Sequence, residues 1–338
     1  MCDNNQYRIL KKIFGYILNS GNKKLFQDIV QIEDEVTIIL GVSQIGKSTL
    51  LNYLNGTLYE CVFNSDLCTV ELIKSDGKEP IIKTGKVGNG GMGCTLFPRI
   101  YIMNIDSKKI CFIDTQGFDQ RGNGNTSMKV VASMLLEMFV QSCNKVKIAY
   151  IEEVANVEKL GTFVRETVDL QRVLANSISP TCLLFNRFIP KKGENKMYDE
   201  ESAESVNEYV KTKIKKNVEN LCKVNEHTKR NIETEQDEEN YNNERFLLSM
   251  FVSNIQNENY CYYDVTSPEY REIVMKQFEK LPYINKTDLN FDKYNEERVK
   301  IDDEMEQYID KEMIPLVECV IFAKKYCIEE ILKEKMKC

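Results

Sequence analysis

The spacing of apolar positions changes along the chain, and those changes predict its elements. Over 6–33, Ile9, Leu10, Ile13, Phe14, Ile17 and Leu18 recur at helical intervals, with Lys11 and Lys12 on the other side. That predicts an amphipathic helix packed on the neighbouring domain or, as the alternative, lying on a membrane surface. From 34 onward short apolar runs alternate with helical patterns. Val36–Leu40, Cys68–Ile73, Ile110–Ile113, Val146–Ile151 and Cys182–Phe185 are expected strands; Lys47–Leu54, Ser127–Val140 and Phe163–Ala175 are expected helices. Such alternation implies crossover units and a mostly parallel sheet. The unbroken runs at 111–113 and 182–185 suit strands covered on both faces.

Beyond 190 the pattern loosens. Lys191-Lys192-Gly193-Glu194-Asn195 opens a polar stretch and Glu233–Asn243 is acidic and Asn-rich, which predicts an exposed helical insertion with a mobile acidic loop. Phe246–Val252 restores apolar content and is the expected last strand. Over 290–336 the apolar residues Val299, Ile301, Met305, Ile309, Met313, Leu316 and Ile321 are spaced among charges, a C-terminal helical segment interrupted near Pro315. The domain plan is therefore a helical segment at 1–33, a main domain at 34–283 with the insertion at about 190–243, and a helical segment at 284–338.

Composition narrows the classes. The 338 residues are 29% charged and 42% hydrophobic, enough for a core under a solvated surface. A net charge of −7 argues against a nucleic-acid partner. No apolar run is long enough to span a bilayer, and the first residues lack a secretory layout, so the expectation is a cytoplasmic protein. The 12 cysteines are scattered without a Cys-x-x-Cys, and His227 is the only histidine. Reduced thiols fit that pattern better than a disulfide framework, and zinc-type spacing is absent.

Chemistry enters directly after Val36–Leu40. Residues 41–49 read Gly-Val-Ser-Gln-Ile-Gly-Lys-Ser-Thr, the Gly-x-x-x-x-Gly-Lys-Ser phosphate signature between a predicted strand and a predicted helix. Gly41 and Gly46 permit the tight turn, and the backbone from Ser43, Gln44 and Ile45 through Thr49 is placed to converge on phosphate oxygens. Lys47 is expected to reach the β- and γ-phosphates and Ser48 to put its hydroxyl on Mg²⁺. Asp114 ends the buried run Ile110–Ile113 as a second Mg²⁺ ligand, and Gly117 is placed for its N–H to approach the γ-phosphate. Between the two motifs, Gly85–Gly93 carries a glycine density that disfavours regular structure. A ligand-ordered segment ending in Thr95, which would complete the metal shell, fits it. A plain solvent loop with Thr95 opening a strand is the alternative.

This set resembles the P-loop GTPases of the translation-factor-related class, and within it the septin, dynamin and immunity-related relatives. The resemblance rests on Gly46-Lys47-Ser48-Thr49-Leu50-Leu51-Asn52-Tyr53-Leu54 and on Asp114-Thr115-Gln116-Gly117-Phe118-Asp119, and covers approximately 34–190. It implies a three-layer α/β P-loop NTPase fold, with a mostly parallel central sheet, helices on both faces and flanking helices. It also implies GTP (or ATP) with Mg²⁺ as ligands, slow hydrolysis, and a second copy or an effector protein as partner. Membrane contact is implied only by analogy. Two positions depart from the family. Asn186-Arg187-Phe188-Ile189 matches the guanine-reading motif in its Asn and, by substitution, in its basic residue, but Ile189 stands where a carboxylate is expected. Phe118 stands where a Gln orients the attacking water in small signalling GTPases. Arg99 and Arg121 flank these segments as charge-stabilising arginines or as surface charge. A catalytically inactive nucleotide-binding module is therefore the standing alternative to a GTPase.

Overall fold

The computed structural model describes residues 33–42, 44–64, 69–80, 98–105, 108–115, 136–137, 139–160, 162–164, 174, 180–187, 202–229, 234–286 and 289. Both terminal helical segments expected from the sequence, 1–33 and 284–338, lie almost wholly outside those residues.

Strand β1 (Glu35–Leu40) is buried from Val36 onward and is followed by helix α1 (Lys47–Leu54). A ribbon of β2 (Thr57–Asn64) and β3 (Thr69–Gly77) comes next, then β4 (Arg99–Ile105), β5 (Lys108–Asp114) and β6 (Lys145–Glu153). After a 3-10 turn at Val154–Glu158 come β7 (Thr181–Asn186), α2 (Ala203–Thr228), α3 (Glu235–Gln256), β8 (Tyr260–Tyr262) and α4 (Tyr270–Lys280). Six strands form one sheet in the order β4-β5-β1-β6-β7-β8, and β2-β3 form a separate antiparallel pair. Only β4 runs against its neighbour; β5, β1, β6, β7 and β8 are parallel. The fold is α/β with a mostly parallel central sheet. It is not the dinucleotide-binding arrangement, whose central strand has its second and third strands in the opposite order.

Both faces of the sheet are covered. Phe112 on β5 lies level with Thr37, which lies level with Lys147 on β6. Tyr150, three residues beyond Lys147, points to the opposite face because side chains alternate along a strand. Phe278 of α4 packs on Phe112 at 5.7 Å between ring centroids, and the Lys147 ammonium reaches the Phe278 carbonyl at 2.6 Å. On the other face, Phe251 of α3 sits edge-on to Tyr150, Phe163 and Phe185 at 6.4, 4.6 and 6.4 Å. Thus α4 and α3 close the sheet from its two sides, which is why strands such as Thr181–Asn186 are buried at every position.

The region beyond 200 corrects the sequence reading. Phe246–Val252 is not a strand: it lies inside α3, and the last strand is Tyr260–Tyr262. A short apolar run does not reveal its own period, and here length and flanks made it helix. The acidic segment expected to be a mobile loop is the first turns of α3. A capping box joins Thr234 and Asp237, and Glu235, Asp237 and Glu238 place negative charge at the helix's positive end. Nor is the insertion merely exposed. Val206, Val210, Ile214, Val218 and Leu221 form a buried stripe at helical spacing along α2. The strand expected at Cys68–Ile73 falls on β3, but β2 and its pairing into a ribbon, β4 and α4 have no counterpart in the sequence reading. Among the described residues no helix is long and apolar enough to cross a membrane.

Two expectations follow from this packing. Phe251→Ala should cost about 3–5 kcal/mol, because three rings lose their common contact; urea unfolding followed by circular dichroism measures it. Among the described cysteines, Cys61 is exposed, whereas Cys182 and Cys261 are buried, with Cys261 pushed up to about 12 by burial. Peptide mapping after brief iodoacetamide treatment of the native protein should find label on Cys61 and none on Cys182 or Cys261 until the chain is denatured.

Candidate nucleotide site

Parallel strands release the chain from one common edge of the sheet, and the site is built from those exits. After Leu40 the backbone turns through Gly41 at φ 145°, Gln44 at φ 63° and Gly46 at φ 105°. Gly41 is required by space as well as by angle: a Cβ there would lie 2.9 Å from the Ile151 carbonyl oxygen and 3.0 Å from Ile45 Cγ2. Gly46 caps α1 in the left-handed conformation. The first N–H groups of any helix lack intrahelical acceptors and carry its positive end, so this turn presents donors to an anion.

Lys47 opens α1 and is only 6% exposed. Its Nζ donates to the Gly41 and Val42 carbonyls at 3.0 and 2.9 Å, so the ammonium lies folded across the loop that precedes it. Ser48 donates its hydroxyl to Asp114 Oδ2 at 2.7 Å. Thr49 follows, half-buried in the same turn. Asp114 is fully buried at the end of β5, level with Ile39 on β1. Thr115 then donates to the Ile39 carbonyl at 2.6 Å and ties the exit of β5 to β1. A hydroxyl touching a carboxylate is a pair of hard oxygen donors, the chemistry that suits Mg²⁺ sharing its shell with water and phosphate. Among the described residues no three His, Cys, Asp or Glu side chains gather as a metal cluster.

The end of β7 closes on the same loop. Asn186, 8% exposed, donates through Nδ2 to the Ile45 carbonyl at 2.8 Å and to the Tyr263 hydroxyl at 3.2 Å. Tyr263 follows β8 and is buried, which raises its phenol above the ordinary range. Arg187 donates through Nη2 to the Gln44 carbonyl at 2.7 Å, and its Nη1 pairs with Glu153 at the end of β6. Residues 141 and 143 positions apart in sequence thus meet at Ile45 and Gln44.

The structure gathers Gly41, Gln44, Ile45, Gly46, Lys47, Ser48, Thr49, Asp114, Asn186 and Arg187 at one edge. Arg99 is exposed at the start of β4, opposite Asp114 in the β4–β5 register. Ser43, Thr95 and Gly117 lie outside the described residues, as do Gln116, Phe118, Arg121 and Ile189. Sequence reasoning missed Glu153 and Tyr263. Glu153 is one of two adjacent glutamates ending β6, and only its position level with Asn186 gives it a role. A cavity of about 440 Å³ between α2 and α3 is lined by residues such as Cys222, Tyr241, Arg245 and Leu248 and shares none with this site. No protein-family model and no curated protein matches the chain, so the functional reading rests on the geometry above.

The two loop glycines should respond differently. Gly41→Ala meets a backbone carbonyl and should lower stability by about 2–4 kcal/mol, in the range of overpacking added to strain. Gly46→Ala meets only Asn186 Nδ2 at 3.5 Å, so its cost is the left-handed backbone, about 1–2 kcal/mol. Thermal unfolding of both variants beside wild type checks the order.

Proposed function

We propose that this chain is a P-loop nucleotide-binding protein that binds GTP with Mg²⁺ and hydrolyses it slowly, working as a nucleotide-controlled switch or assembly protein. The observation that carries the reading is the convergence on one loop of Lys47, the Ser48–Asp114 pair and Asn186-Arg187, delivered by β1, β5 and β7. The sheet order supports a three-layer P-loop fold, with the phosphate loop leaving the central strand β1 between its parallel neighbours. Crevices at such carboxyl edges are where open α/β sheets bind ligands.

The residues divide the work. The turn at 41–46 and the first turn of α1 receive the phosphates through backbone N–H groups. Lys47 exchanges its two loop carbonyls for phosphate oxygens and stabilises charge that develops on the transferred group. Ser48 and Asp114 would hold the cation, which would supply charge neutralisation for the phosphates. Asn186 keeps the Ile45 carbonyl fixed, so the loop keeps its shape while the ligand exchanges.

A second reading, a nucleotide-binding module without turnover, is favoured by Ile189 and Phe118, which remove the base-reading carboxylate and the water-orienting amide. One experiment separates the two. Titration of a fluorescent GTP, GDP and ATP with Mg²⁺, followed by phosphate release, should show guanine preference and slow release. Equal binding of ATP, or binding with no release, favours the second reading.

Lys47→Ala and Ser48→Asn should each abolish binding in that titration, and full affinity in both would remove the site assignment. Thr95→Ala should leave affinity unchanged but lose the difference between GTP and GDP in protease protection; a wild-type response would remove Thr95 from the switch.

A further inference from the structure

Three described non-glycine residues take a positive φ, Gln44 at 63°, Arg187 at 54° and Glu258 at 55°. Two of them are joined: Arg187 Nη2 donates to the Gln44 carbonyl at 2.7 Å, across 143 positions of sequence. A left-handed backbone is unfavourable for a residue with a Cβ and persists where its surroundings over-determine it. Asn186 and Lys47 hold the neighbouring carbonyls of Ile45, Gly41 and Val42, and the Arg187 guanidinium holds that of Gln44 itself. The other arm of the guanidinium pairs with Glu153, whose own N–H is capped by Glu152 Oε1 at 2.8 Å and which lies level with Asn186 across the β6–β7 pair. Glu152 is buried and also accepts from Asn156 at 2.6 Å, so the backbone that presents Glu153 is itself anchored.

Arginine is the residue that can do this. Its donors form a rigid planar fork, so one side chain meets a carbonyl and a carboxylate in a fixed relative orientation; a lysine ammonium is a point charge that does not set such a plane. We propose that Arg187 braces the phosphate loop through the Gln44 carbonyl and that Glu153 is a positioning residue that fixes the guanidinium in that place. This inference rests on the nucleotide reading of the site and changes what Arg187 does there. A brace acts on loop backbone, so it serves the phosphates and is indifferent to the base.

The magnitudes are set by exposure. The Glu153 and Arg187 side chains are 26% and 44% exposed, so solvent screens their pairing and the carboxylate contributes only about threefold in affinity. The charge-assisted bond to the Gln44 carbonyl is stronger, and losing it should weaken binding about tenfold.

The test uses the full chain and three Mg²⁺-loaded probes, GTP, ATP and inorganic tripolyphosphate, with affinities from calorimetry. Arg187→Ala should weaken all three by a common factor, Arg187→Lys should not restore them, and Glu153→Gln should cost about threefold in wild type but nothing further in the Arg187→Ala background. Gln44→Gly, which adopts positive φ freely, should recover most of the affinity that Arg187→Ala loses, a rescue that a general loss of stability would not give. Loss confined to the two nucleotides with tripolyphosphate unchanged would make Arg187 a base contact and overturn the brace. Additive losses in the double variant, or a wild-type Glu153→Gln, would overturn the role of Glu153. Folded wild type that binds none of the three probes would remove the nucleotide reading itself, whereas normal wild-type binding with an unaffected Arg187→Ala removes the brace alone.

Discussion

The parallel run of β5, β1, β6, β7 and β8 is the constraint on which the site depends. Because these strands share a direction, the chain leaves each of them at the same edge, and residues 41, 115, 153, 187 and 263 line that edge without being near in sequence. Parallel strands in turn require long crossovers, and the helices in those crossovers cover the faces. Phe251, in the β7–β8 crossover, is the packing consequence on one face; on the other, α4 follows the last strand and packs Phe278 on Phe112. The hydrophobic burial that holds the sheet together is therefore also what aligns the polar groups at its edge.

Those polar groups are held in a setting where misplaced charge is expensive. Lys47 and Asp114 are both nearly inaccessible, and a charge out of water must find partners or lose its ionisation. Lys47 has the Gly41 and Val42 carbonyls, and Asp114 has the Ser48 hydroxyl. Each of these partners is a group that a phosphate or a cation would replace with stronger ones. The loop is held from outside by Asn186 on Ile45 and Arg187 on Gln44, an arrangement that, in the proposed reading, organises it ahead of the nucleotide. Organisation ahead of binding lowers the ordering cost of the bound state.

The helical pair α2–α3 shows how far an insertion can become part of the core. Its first helix presents a buried stripe, and Asn207 at its start accepts from the Tyr262 N–H at 2.8 Å, tying α2 to the edge strand β8. Lys211, one turn on, pairs with Glu208 and Glu258 and lies over the Tyr260 ring at 5.0 Å. Through these contacts α2 fixes the start of β8, whose exit delivers Tyr263 to Asn186. A segment that contributes no residue to the loop at 41–46 thereby bears on it, through Tyr263 and Asn186.

The sequence by itself determined the local grammar. Val36–Leu40 followed by a glycine-framed turn and Lys47-Ser48 specified strand, loop and helix, because backbone conformation at Gly41 and Gly46 and the period of Leu50, Leu51 and Leu54 are local properties. The strands ending at Asp114 and Asn186 were legible for the same reason, as continuous apolar runs closed by a polar residue. Phe246–Val252 was not, since a short apolar run has no readable period; it lies inside the 22-residue α3, where Phe251 packs on Tyr150, Phe163 and Phe185. The acidic stretch before it had the composition of a loop until Thr234 and Asp237 closed a capping box. Glu153 and Tyr263 carry no pattern at all. Their place beside Asn186-Arg187 comes from the register of β6, β7 and β8, a long-range pairing that tertiary structure alone decides, because it is set by which strands lie side by side and not by any residue's near neighbours.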